Sequence, residues 1–198
     1  MPVFNLNNQN ANLDCKIVAG LERLSQVFRV LLWEKAKQYG LSPIQIQLLI
    51  FIKHHDAGKS TITYLAQEFN FTKPTISDAI KVLEQKKMVK KIVDPADTRS
   101  YTIQLLTNGK KVVAATEDFA NPLTAIIAQS GHAGKLILWE NIVTMIKELN
   151  KTAVISVQRT CYNCKHFSSK NNIPFCNLLQ QKLLLPDIRI DCAEFERA

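Results

Sequence analysis

Ser60–Thr107 reads STITYLAQEFNFTKPTISDAIKVLEQKKMVKKIVDPADTRSYTIQLLT, and this stretch decides the fold. Thr61 can accept hydrogen bonds from the orphan amides of a helix start, and Ile62, Leu65, Ala66 and Phe69 follow at helical spacing. Asn70-Phe71 is a short turn. Thr72 then caps a second helix, with Pro74 in its first turn, where a missing amide hydrogen costs nothing. Ile76, Ala79, Ile80 and Leu83 mark that helix's buried side. Met88–Val93 and Tyr101–Leu106 are apolar, β-branched runs, expected as two strands. The polar Asp94-Pro95-Ala96-Asp97-Thr98-Arg99-Ser100 between them suits a hairpin loop. Helix, short turn, helix and charged hairpin is the order of a winged helix-turn-helix.

Each part has a physical task in such a fold. The second helix fits the major groove of duplex DNA, where base edges display distinct donor and acceptor patterns. Its polar side offers Thr72, Lys73, Thr75, Ser77, Asp78 and Lys81. Lysine can meet phosphate or guanine, and the hydroxyls can meet bases or phosphate. Asp78 can accept from cytosine N4 or favour the positive end of the helix. An arginine on the hairpin is drawn to the negative potential of a narrow minor groove. Residues 71–100 carry Lys73, Lys81, Lys86, Lys87, Lys90, Lys91 and Arg99 against Asp78, Glu84, Asp94 and Asp97, a local basic excess.

Four segments are expected along the chain. Residues 1–40 comprise a disordered arm over 1–11 and a long amphipathic helix from Asn12 to Gln38. Along that helix Ile17, Leu21, Leu24, Phe28 and Leu31 form a heptad-like seam, stopped by Gly40. Residues 41–108 form the DNA-binding domain, opened by a helix that Ser42 caps and Pro43 starts. Residues 109–152 supply further dimerisation helices, about Asn108–Phe119 and Lys135–Lys151, broken at Asn121-Pro122 and Ser130-Gly131. The last of these carries Leu138, Ile142, Met145 and Leu149 on one stripe. Residues 153–198 change character and hold four of the five cysteines. The expected class is mainly α, a winged helix-turn-helix with long dimerisation helices and a small C-terminal metal-binding segment.

A net charge of +8 and a pI near 9.3 suit a polyanionic partner. The N-terminus has neither a basic region nor an apolar core of the signal-peptide kind, and no apolar run is long enough to span a bilayer. A cytoplasmic protein with no membrane partner is therefore expected, with its thiols reduced. Catalytic motifs fail in detail. Gly58-Lys59-Ser60 resembles the end of a phosphate loop, but Lys53 stands where the first glycine must be. Leu136 spoils Gly134-Lys135, and Cys161 and Cys164 lack the His-x-Glu partner of a zinc deaminase. No enzyme is expected. The rival reading from another class is a metal- or redox-responsive sensor acting mainly through protein contacts.

The tail spacing is Cys161-x2-Cys164-x11-Cys176-x15-Cys192. A close thiolate pair plus two further thiolates can complete a tetrahedral shell, which favours one structural zinc ion. An iron–sulfur cluster is the alternative, since four cysteines suit it equally and the last two stand singly. Free or redox-active thiols remain open. Phe167, Phe175, Leu178 and Phe195 are expected around the site and His166 beside it. Elsewhere the ordinary readings are preferred: His54 and His55 at a helix C-terminus, Trp33 and Trp139 in packing, and Cys15 as a helix residue.

Several motifs together resemble the MarR family of regulators. They are Thr61-x-x-x-Leu65-Ala66, Phe71-Thr72-Lys73-Pro74-Thr75-Ile76-Ser77, Leu83-Glu84, the 94–100 loop and Leu106-Thr107-Asn108-Gly109. The resemblance covers roughly residues 12–150. It implies a homodimer on a palindromic DNA operator, open to a small-molecule effector, with Arg99 as the wing arginine and Asp97 bracing it. Thr98 departs from the second arginine that many members carry, which implies weaker wing contacts. The cysteine tail lies outside the usual family pattern.

Overall fold

The computed structural model describes residues 2–93, 95, 100–155, 159–171 and 173–198. The α-helices are α1 (Leu6–Ala11), α2 (Leu13–Gln38), α3 (Pro43–His54), α4 (Ile62–Glu68) and α5 (Lys73–Gln85). Strands β1 (Val89–Val93) and β2 (Tyr101–Leu105) come next, followed by α6 (Thr107–Thr116), α7 (Asn121–Ala128) and α8 (His132–Lys151). The tail adds β3 (Phe167–Lys170), β4 (Ile173–Cys176) and β5 (Gln181–Lys182). These elements form two compact units, Met1–Asp56 with Ala79–Leu123, and Ala57–Asp78 with Thr124–Ala198.

The first unit is built on α3. Ile46, Leu48 and Leu49 are completely buried, and Phe51 and Ile52 nearly so. A helix apolar around most of its circumference belongs in an interior. Here it packs against α2, α6 and β2. Its start is set by Ser42, whose amide donates to Gln45 Oε1 at 2.9 Å, and by Pro43 in the first turn. Gly40 ends the preceding connection with φ +59°, a left-handed conformation that glycine adopts without strain. Strands β1 and β2 pair antiparallel, Val89 opposite Leu105 and Val93 opposite Tyr101. Among the described residues of the hairpin, Val89, Ile103 and Leu105 are the buried ones, and they anchor its base.

Ion pairs tie helix ends together at the surface of this unit. Lys53 and His54 both reach Glu117, at 3.0 and 2.9 Å, and Lys35 meets Asp118 at 2.8 Å. His54 thus sits at its helix C-terminus with a carboxylate partner, while His55 stacks on Phe51 with ring centroids 3.7 Å apart. Hydrogen bonds from His54, then from Lys53, hold the Glu117 carboxyl below its ordinary range. A carboxylate pKa depressed by folding stabilises above the unfolded value, and that share is lost as the pH falls through the folded one. Glu117→Gln should therefore lower the melting temperature at neutral pH and lose this effect in acid. A deficit that stays constant on acidification refutes the assignment.

The second unit is organised around α8. Val143, Leu183 and Ile188 form a buried cluster, joined by Trp139, Tyr162, Phe167, Cys161 and Cys176. Trp139 also donates its indole hydrogen to the Leu185 carbonyl at 3.0 Å. Asn163 Nδ2 donates to Asn150 Oδ1 at 2.7 Å. The tail therefore packs on α8, as its position directly after that helix suggests. In it β3, β4 and β5 make a small antiparallel sheet, with Phe167 opposite Cys176.

Three expectations need correction. Residues 1–11 are not wholly an irregular arm, because Leu6–Ala11 is helical. Asn5 supplies the reason, since its side chain accepts from the amides of Asn7 and Asn8, and α1 packs on α2. Asn121-Pro122 does not break the chain but opens α7, because a proline in a first turn leaves no hydrogen bond unmade. The helix expected over 108–119 ends at Thr116, and α8 begins three residues earlier than expected, at His132.

Candidate functional site

The turn between α4 and α5 is set by local chemistry. Thr61 Oγ1 accepts from the Tyr64 amide at 3.2 Å, which caps α4. Asn70 takes φ 54°, a left-handed conformation that asparagine tolerates better than most residues, and the Phe71 amide then reaches back to the Ala66 carbonyl at 2.9 Å. Thr72 Oγ1 accepts from the Thr75 amide at 3.3 Å and lies 2.8 Å from the Thr75 hydroxyl. Thr72 is thus first a helix cap, with its hydroxyl already committed.

Helix α5 has two chemically different sides. Ile76, Ala79, Ile80 and Leu83 are buried, with Ile76 and Leu83 completely so. Thr72, Lys73, Thr75, Asp78 and Lys81 are exposed, and Ser77 is half-buried. Ser77 and Lys81 lie one turn apart, so they project from the same side of the helix. Lys73–Asp78 belong to the second unit and the remainder of α5 to the first. Every α5 residue expected to read DNA is on the polar side, apart from the partial burial of Ser77.

The hairpin is described at its base. Lys90 and Lys91 are exposed on β1. Lys91 pairs with Glu84 at 3.0 Å and stands 5.3 Å from the Tyr101 ring centroid, so its charge is partly answered within the protein. Arg99 and Asp97, the expected wing arginine and its brace, lie outside the described residues.

Residues 39–100 match the model of the MarR family. This stretch resembles the winged helix-turn-helix of the MarR family in sequence and in fold. A crystal structure of S. aureus MepR with DNA is similar at 26% identity and a TM-score of 0.59, covering 67% of this chain and 97% of that one. S. aureus MepR in its DNA-binding conformation matches at 24% identity and a TM-score of 0.59, covering 67% and 98%. A MarR transcriptional regulator from Methanosarcina mazei Go1 matches at 20% identity and a TM-score of 0.59, covering 69% and 97%. The last two likenesses are of fold. Among curated proteins none matches the chain in sequence. The MarR family is one of transcription regulators rather than enzymes. Among the described residues no helix is long and apolar enough to cross a membrane.

Beyond the MarR-family stretch, the second unit brings the four tail cysteines to one cavity of about 280 Å³. Cys161, Cys164, Cys176 and Cys192 all line it, as do Phe167 and Leu178, whereas Phe175 and Phe195 do not. His166 lines it too, but its ring nitrogen lies 3.2 Å from Glu196. Burial pushes the Cys161 thiol up in pKa, opposed by a hydrogen bond from the Arg189 amide. Among the described residues no three histidine, cysteine, aspartate or glutamate side chains come close enough to hold a single metal ion.

One feature of this unit carries no signal in the sequence. Arg159 is only 5% exposed and meets two carboxylates and a phenol. Its Nε donates to Asp191 Oδ1 at 2.6 Å and its Nη2 to Asp191 Oδ2 at 2.9 Å. Nη2 also reaches Glu68 Oε1 at 3.1 Å, and Nη1 reaches Tyr64 Oη at 2.9 Å. Burial alone lowers the arginine's pKa, but its hydrogen bonds to Asp191, Glu68 and Tyr64 more than offset it, and the net shift is upward. Glu68 and Tyr64 sit four residues apart on α4, so one guanidinium grips one side of the first helix of the helix-turn-helix. Nothing in the spacing of these residues, some ninety positions apart, betrays that contact.

Proposed function

We propose that the protein is a DNA-binding transcriptional regulator of the MarR type. It acts as a homodimer on a palindromic operator, with α5 entering the major groove. The observation that carries this reading is α5 itself, capped by Thr72, buried through Ile76, Ile80 and Leu83, and presenting Lys73, Thr75, Asp78 and Lys81 outward. The net charge of +8 and the likeness to a MepR–DNA complex at 26% identity support it. The homodimer is supported by the apolar residues that α2 leaves exposed, among them Ile17, Leu21, Leu24 and Phe28. Two reading heads on a two-fold axis would meet half-sites about one helical turn apart. A protein of this kind works in the cytoplasm.

Genomic fragments selected by the purified protein would supply the operator. Fluorescence anisotropy on that operator should show Ser77→Ala losing about 1–3 kcal/mol of specific binding, the worth of a base contact. Lys81→Ala should weaken binding and, where the lysine meets phosphate, flatten the salt dependence by about one unit of slope. Arg99→Ala should weaken binding and relax preference at the flanking base pairs, an expectation that rests on the family resemblance. Wild-type affinity in all three variants would overturn the assignment of this surface.

A further inference from the structure

We propose that Cys161, Cys164, Cys176 and Cys192 ligate one iron–sulfur cluster, and that Arg159 couples its presence to α4. The geometry favours a cluster over a single ion. Four thiolates on one zinc ion, bonded at about 2.3 Å, must stand within about 3.8 Å of one another. Here the four cysteines line one cavity of about 280 Å³, and no three potential ligands among the described residues are close enough to hold one ion. A cluster places its own irons and sulfides between the thiolates, so it needs cysteines set around a space. Phe167, Leu178 and Leu183 line part of the cavity with apolar surface.

The hydrogen bonding suits an anionic group. The Arg189 amide donates to Cys161 Sγ at 3.3 Å, and the Arg189 guanidinium to Cys192 Sγ at 3.5 Å. Donors to the ligand sulfurs and a nearby positive charge are among the factors that tune such clusters. Ligation replaces four S–H bonds with four Fe–S bonds and releases four protons to solvent. The coordination itself transfers no electrons.

The coupling follows from the same loops. Arg159 and Asp191 form a parallel bridge, and the Cys192 amide donates to the Arg159 carbonyl at 3.1 Å. Two ligand-bearing segments, around Cys161 and around Cys192, are therefore clasped where they leave the cavity. The clasping guanidinium is also the group that holds Glu68 and Tyr64 on α4. Losing the cluster removes what draws the two segments together and loosens the grip on α4.

The full-length protein, isolated without air from iron-replete cells, is expected to be brown and to contain iron and acid-labile sulfide in equal amounts. Cys176→Ser should lose the visible absorbance, and Cys15→Ser, outside the tail, should keep it. Zinc without sulfide, or no metal at all, overturns the cluster. For the coupling, amide exchange over Ile62–Glu68 should speed up when a chelator strips the wild-type protein. Glu68→Gln should keep its colour, yet its α4 exchange should no longer respond to stripping. No response in the wild type, or the same response in Glu68→Gln, overturns the coupling.

Discussion

Leu24→Asp is expected to leave the protein monomeric at micromolar concentration and to abolish its hold on a palindromic duplex. Helix α2 is 26 residues long, yet only Cys15, Leu32 and Ala36 of it are buried. Over its first turns Ile17, Leu21, Leu24 and Phe28 stay between 40% and 50% exposed, spaced four, three and four apart. Trp33 on the same helix is 54% exposed. A contiguous apolar stripe of this kind rarely faces water in a monomer. A second α2 is the partner that its heptad-like spacing fits.

In a two-fold interface each substitution counts twice. Burying a leucine is worth about 1.5–3 kcal/mol, so losing two costs about 3–6 kcal/mol. That raises the dimer's dissociation constant by roughly two to four orders of magnitude, before the cost of burying aspartate is added. Light scattering reads the mass and anisotropy reads operator binding. Leu24→Met, which keeps the volume and polarity, should preserve both. A wild-type dimer in Leu24→Asp refutes the α2 interface. Monomers that bind the operator as tightly as wild type refute the dimeric reading of DNA.

Gly109→Ala is expected to destabilise the fold by about 2–4 kcal/mol, against the usual direction for this exchange. Alanine is favoured over glycine within a helix by about 1 kcal/mol. Gly109 lies in the first turn of α6 and is buried. A Cβ there would stand 2.2 Å from the Met88 carbonyl oxygen and 3.1 Å from Leu105 Cδ2. The oxygen cannot retreat freely, because it accepts from the Leu106 amide at 2.8 Å. Either that hydrogen bond lengthens or α6 moves away from the hairpin. Overpacking of this kind costs about 1–3 kcal/mol, occasionally more, and a strained hydrogen bond adds to it. Urea unfolding at a fixed protein concentration measures the loss. A rise in the transition midpoint would show that helix propensity outweighs the clash.

The helix-turn-helix was legible because its signals are local. Thr61 and Thr72 act within three residues of themselves, Pro74 within its own turn, and the burial of Ile76, Ile80 and Leu83 follows from the helical period. The cysteine tail was legible in composition only. Spacing favoured a single zinc ion, and the proposal of a cluster rests instead on the cavity that the four cysteines line together, which spacing does not contain.

The sequence by itself determined the element order and caps of the helix-turn-helix and its hairpin, the apolar faces of the long helices and the segregation of cysteines into the last 46 residues, since each is a local property of the chain. Its failures were also local. The helix at Leu6–Ala11 and the one opened by Asn121-Pro122 turned on whether Asn5 and Pro122 start a helix or interrupt one, which packing helps to decide. Tertiary structure alone decided why residue 109 must be glycine, because the obstructing carbonyl belongs to a residue 21 positions earlier. It alone brought Arg159 to Glu68, Tyr64 and Asp191. A buried guanidinium needs anionic partners wherever the chain supplies them, and chain separation places no limit on where they come from.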